Sequence, residues 1–174
     1  QIFSQLMLVI LARLVLKNRA TTGIRWTIGI FILFVLWSNL HGGYSLGIFL
    51  FIFLILGELV DFILNSRQKE ELPVNFKRYL LWLLAGLGGA IVNPNGLNTF
   101  IVPFKTVGVQ TLQNLIDEWA SPDFHQLAMQ PFLILLFTVV FSLAFSKKRP
   151  SGFEVIGFLG FTYLALVAKR NFAP

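Results

Sequence analysis

Between Tyr44 and Leu64 the chain runs as one largely apolar stretch, charged only at Glu58 and Asp61 near its far end. At about 1.5 Å of rise per residue a helix of this length reaches across bilayer hydrocarbon. In lipid a helix is also the simplest way for a segment to satisfy its own backbone groups. Similar runs lie at Ile2 to Leu16, Ile24 to Leu40, Tyr79 to Val92, Pro131 to Phe145 and Phe153 to Ala168. With 56% hydrophobic and 13% charged residues in 174, there is too little polar surface to coat a water-soluble globule of this size. The expectation is an all-α, polytopic integral membrane protein with about six transmembrane helices. Residues 1–174 read as a single helical domain, and because Gln1 is no start methionine, as an internal fragment of a longer chain.

The breaks between runs are informative. Gly42-Gly43 predicts a tight turn, and Asn93-Pro-Asn-Gly96 is a turn signature in which Pro presets one backbone angle and Gly accepts a positive one. Gly86, Gly88 and Gly89 predict close approach of the fourth helix to a neighbour. Leu97 to Phe104 is apolar but too short to span, which predicts an interfacial or re-entrant segment, and Lys105 to Gln130 is a long polar connection. Alternating six spans puts the loops after the first, third and fifth runs on one side. Those loops hold ten of the fourteen Lys and Arg: Lys17, Arg19, Arg25, Arg67, Lys69, Lys77, Arg78, Lys147, Lys148 and Arg149. By the positive-inside rule that side is cytoplasmic. A net charge of +6 arranged this way is a topology signal, so no nucleic-acid partner is expected. The absence of Cys excludes disulfides and thiolate sites.

The opposite, extracytoplasmic side receives His41, Asn93 to Gly96, Ile116 to His125 and Lys169-Arg170-Asn171. Ile116 to His125 concentrates three of the eight carboxylates, Asp117, Glu118 and Asp123, with His125, Trp119 and Pro122. Such groups serve as a general base, a hard-cation site or hydrogen-bond partners of sugar hydroxyls, and serve equally as a solvated loop anchored by Trp119 and Phe124. Asp117 and Glu118 are the catalytic candidates, and a divalent cation is a candidate cofactor with no fixed ligand spacing. His41, beside two glycines, either faces a ligand that approaches bare backbone or caps its turn. Lys105, Lys169 and Arg170 either bind phosphate or reach to the headgroups. Substrate-binding candidates are therefore His41, Asn93, Asn95, Lys105, Trp119, Asp123, His125, Lys169 and Arg170. Glu58 and Asp61, near the cytoplasmic end of their helix, invite ion pairing with Arg67 and Lys69 or a proton or ion pathway. Phosphate-binding glycine loops, His-Glu-x-x-His and Gly-x-Ser-x-Gly are absent.

The ordered set Trp37-Ser-Asn-Leu-His-Gly-Gly-Tyr44, Asn93-Pro-Asn-Gly96, Glu118-Trp-Ala-Ser-Pro-Asp-Phe-His125 and Lys169-Arg170-Asn171 resembles large bacterial multi-pass membrane proteins. That group looks like the type C glycosyltransferases, which include the dolichyl-phosphate-mannose-protein mannosyltransferases. The resemblance implies transfer of a sugar from a polyprenyl-phosphate donor at the extracytoplasmic face of a bacterial plasma membrane. Its acidic catalytic motif lies in a large first outer loop, which no residue here matches. The resemblance therefore implies that this chain walls the donor or acceptor pocket. The competing expectation is a non-catalytic subunit packed against other membrane protein subunits, docking through Trp119 and Phe124.

Overall fold

The structure is a computed structural model that describes residues 2–18, 23–65, 74–101 and 120–169. Among them are six α-helices and no strand: α1 (Ile2–Lys17), α2 (Ile24–Leu40), α3 (Tyr44–Asn65), α4 (Val74–Ile91), α5 (Gln130–Phe145) and α6 (Gly152–Val167). Short 3₁₀ turns occupy Gly96–Phe100 and Leu127–Met129. Tyr44–Leu64 and Leu127–Phe145 are long and apolar enough to cross a membrane, whereas Ile24–Leu40 and Gly152–Val167 are apolar but shorter.

The observed helix limits differ from expectation mainly at α4, which begins at Val74 rather than Tyr79. The polar residues before Tyr79 read as loop, yet they form the first turn of α4. Arg78 donates to Asn75 Oδ1 at 3.1 Å one turn earlier, and Asn75 donates to Glu58 Oε1 of α3 at 3.2 Å. Leu97 to Phe104 is a 3₁₀ turn as far as Phe100, and residues 102–119 lie outside the described residues.

α2 packs most extensively on α4, and α3 on α6 and α4. Glycine decides how closely. A Cβ on Gly89 would strike the carbonyl oxygen of Phe31, and one on Gly86 would stand 3.1 Å from the Phe34 ring. Gly88 has only ordinary contact, at 3.7 Å from Phe31, so two of the three expected glycines make the approach. α3 and α6 cross where Gly57 meets Gly152 and Phe153, backbone against backbone. Higher up the same pair, Gly160 leaves room for the Phe53 ring, which stands edge-on to Phe161 at 5.1 Å between centroids. The buried centre is formed by Leu11, Ile30, Phe34, Trp37, Phe51, Leu54, Tyr79 and Trp82, from the first four helices.

Asp61 fixes the start of α6. Its Oδ1 accepts the Gly152 N–H at 2.8 Å, while Ser151 and Glu154 form a reciprocal capping box. Glu58 and Asp61 thus hold the α3–α4 and α3–α6 contacts. The expected partners Arg67 and Lys69 lie outside the described residues.

α5 has no buried residue and contacts the rest of the bundle weakly. Between it and α6, α3 and α1 lies an apolar cleft of about 430 Å³ lined by Leu8, Leu46, Phe132, Leu136, Phe158 and Phe161.

Candidate functional site

Long-range hydrogen bonds gather one end of the bundle. Asn39, in the last turn of α2, donates from Nδ2 to Val35 O at 2.8 Å and to Val92 O beyond α4 at 2.7 Å. At the start of α3, Tyr44 donates its hydroxyl to Thr99 O at 2.5 Å and accepts from Thr99 Oγ1 at 3.2 Å. The Lys169 N–H after α6 donates to Ala120 O at 3.0 Å. The same end therefore carries the C-terminal ends of α2, α4 and α6 and the N-terminal ends of α1, α3 and α5. Lys17, Arg25, Lys77, Arg78 and the Lys147–Arg149 cluster lie at the other end.

The centre of the first end is a hydrogen-bonded chain that sequence reading missed. Trp37, fully buried, donates Nε1–H to Ser4 Oγ at 2.9 Å, and Ser4 Oγ lies 2.7 Å from His41 Nδ1. Gly43 N–H also points to His41 Nδ1, at 3.0 Å. Two obligate donors set the direction of the whole chain. Because a backbone N–H can only donate, Nδ1 is an acceptor, and the neutral ring carries its proton on Nε2. Because indole N–H can only donate, Ser4 accepts from Trp37 and spends its own hydrogen on His41. Ser4 is only 4% exposed, so each of these groups is satisfied where water is scarce.

This arrangement distributes the expected site residues unevenly. His41 ends α2 and caps the turn through Gly43, and what approaches the bare backbone of Gly43 is Ser4 of α1. Trp37 lies near the end of its apolar run, where an indole ring reads as an interface anchor, yet it is a core residue. Asn93 also closes a turn: Nδ2 donates to Ala90 O at 2.6 Å, and Oδ1 accepts the Asn95 N–H at 2.7 Å. Gly96 then takes φ +52°. The side chain of Asn95 forms no cap bond to the 3₁₀ turn that follows, and the residue is exposed.

Asp123 accepts the His125 N–H at 3.0 Å and Gln126 Nε2 at 3.4 Å, while the His125 side chain is exposed. Phe124 stacks on Phe132 of α5 at 6.4 Å between centroids, and Gln130 donates to the Phe124 carbonyl, so this loop is pinned to α5. Lys169 is buried, at 6% exposure, rather than reaching out to the headgroups. Lys105, Asp117, Glu118, Trp119 and Arg170 lie outside the described residues.

The structure therefore brings His41, Asn93, Asn95, Asp123, His125 and Lys169 to one end, in two hydrogen-bonded groups. One is built on α1, α2, α3 and α4, the other on the start of α5. Among the described residues no group of three or more His, Asp or Glu is placed to hold a metal ion. The missed residue Ser4 was visible only as a small polar residue within the apolar run Ile2 to Leu16. No protein-family description, curated protein or solved structure matches the chain.

Proposed function

We propose that the chain is a six-span membrane bundle that forms the extracytoplasmic wall of a type C-like glycosyltransferase acting on a polyprenyl-phosphate-linked sugar. One observation carries the reading: the described site candidates sit at the end opposite the basic clusters, with His41 and Asn93 on helix ends tied by Asn39, Tyr44 and the Ser4–His41 bond, and Asp123 and His125 on the loop before α5. A rigid polar end above an apolar body suits a site that must hold a lipid-linked phosphate and sugar at the membrane surface. In this reading Asp117 or Glu118 activates the acceptor or positions a divalent cation, Asp123 and His125 hold sugar hydroxyls, and Lys105 and Arg170 face phosphate. The exposed apolar residues around the bundle, such as Ile28, Leu84, Phe137 and Leu159, face lipid.

Alanine replacement of Asp117, Glu118, Asp123 and His125, one at a time, is expected to lower sugar transfer at least tenfold at one or more positions, with normal expression. Full activity in all four overturns their role. Topology is checked separately. Residues 1–174 hold no Cys, so Asp123→Cys and Lys148→Cys each place one thiol in this stretch. An impermeant maleimide added to intact cells is expected to label the first and spare the second, and the reverse pattern refutes the orientation.

A second reading, a non-catalytic subunit, is favoured by α5, whose apolar residues are all at least partly exposed and leave a face open to another membrane protein. It predicts that the alanine variants keep activity while apolar-to-Lys changes on α5 release a co-purifying subunit.

A further inference from the structure

The bundle's basic end holds a second polar site. α2 and α4 run parallel, since Asn39 joins their C-terminal ends, so the positive ends of both backbone dipoles point the same way. Neither helix has an acidic residue in its first turn, and Gly23 supplies no side-chain cap to α2. Between these ends opens a cleft of about 340 Å³ lined by Gly23, Thr27, Lys77, Arg78, Leu81 and Trp82.

Arg78 is the decisive group. It is only 8% exposed, donates from Nη1 to Asn75 Oδ1 at 3.1 Å, and its buried Nε has no acceptor among the described residues. Among the described residues its hydrogen-bonded path to a carboxylate runs through the Asn75 amide to Glu58, so a neutral group stands between those charges. A guanidinium with unused donors in a poorly hydrated place gains most from an anion with several oxygens. Lys77 is exposed on the same cleft. Ile24 and Val74, at 73% and 67% exposure, extend an apolar surface from it. That surface favours an amphiphile over a free anion.

We propose that this cleft binds the headgroup phosphate of an anionic phospholipid from the leaflet at the basic end, with the acyl chains lying along α2 and α4. The proposal rests on the membrane placement above and is independent of sugar transfer.

The test uses the purified protein in detergent micelles, titrated with dioleoyl phosphatidylglycerol, with dioleoyl phosphatidylcholine, or with sodium phosphate, and read by thermal unfolding. Phosphatidylglycerol is expected to raise the unfolding midpoint saturably, and the other two to leave it unchanged. Lys77→Gln is expected to weaken the apparent phosphatidylglycerol affinity about fivefold, the effect of one basic residue near a charged headgroup, and Arg78→Gln more. Because Arg78 is buried, its variant can fail to fold, and exposed Lys77 then carries the test alone. Equal effects of the two lipids, wild-type affinity in Lys77→Gln, or a saturable rise with phosphate alone each overturn the proposal. Cysteine labelling is read independently, so a wrong topology and an absent lipid site give different results.

Discussion

Gly57→Ala is expected to push α3 and α6 apart and lower the thermal unfolding midpoint clearly. A Cβ there would stand 2.5 Å from Phe153 Cα and strike the Phe153 nitrogen as well. Those atoms are backbone, held by the Ser151–Glu154 capping box and by Asp61, so no side chain can swing aside. The helices must separate, which gives up the Phe53–Phe161 contact and the Asp61 bond, at about 3 kcal/mol, the upper range for overpacking. Gly29→Ala is the internal control. A Cβ at Gly29 meets nothing within 4 Å, and the change is expected to stay within about 1 kcal/mol and to favour the helix. Thermal unfolding of both variants in one detergent decides the matter, and equal midpoints would refute the backbone crossing.

Gly43→Ala should have the second large effect, for a different reason. Its Cβ would lie 2.6 Å from Ser4 Cβ and overlap Ser4 Oγ, so Ser4 must leave Trp37 and His41. The buried Trp37 N–H then loses its acceptor, which costs about 1–3 kcal/mol beyond the steric strain. Ser4→Gly removes the same hydrogen bonds but leaves room for the methyl. The double variant is therefore expected to be little less stable than Ser4→Gly alone, a strongly non-additive cycle. Additive losses, read by unfolding of all four proteins, would show that Gly43 and Ser4 act separately.

Both predictions concern glycines, and the sequence distinguished them poorly. Gly42-Gly43 was readable as a turn because two adjacent residues without Cβ between apolar runs disfavour a continuous helix. Which atom would use the bare backbone was not readable, since Ser4 lies 37 residues from His41 and its run offers no periodic signal. Likewise Gly86 and Gly89 were legible as a packing face, but Gly57 is isolated in its run and Gly152 stands just before one. Only the crossing of α3 over α6 shows that they meet.

Arg78 and Trp37 mark a further limit. A run of basic residues before an apolar stretch reads as a solvated loop, yet Asn75 and Glu58 draw its last residues into a helical first turn and bury Arg78. Trp37 at the end of its run reads as an interface anchor. The bond to Ser4 satisfies its indole N–H and lets the ring join the core instead.

The sequence by itself determined the all-helical character, the positions of the six helices to within a few residues except at α4, and the turns at Gly42 and Asn93. Those depend on local chemistry: apolar length, missing Cβ atoms and side chains that bond their own backbone. Tertiary structure alone decided that His41 is oriented by Ser4 and Trp37, that α3 and α6 touch backbone to backbone, and that two parallel helix starts enclose Arg78. Each is a meeting of residues far apart in the chain, where packing and the pairing of buried polar groups choose among contacts that local pattern leaves equivalent.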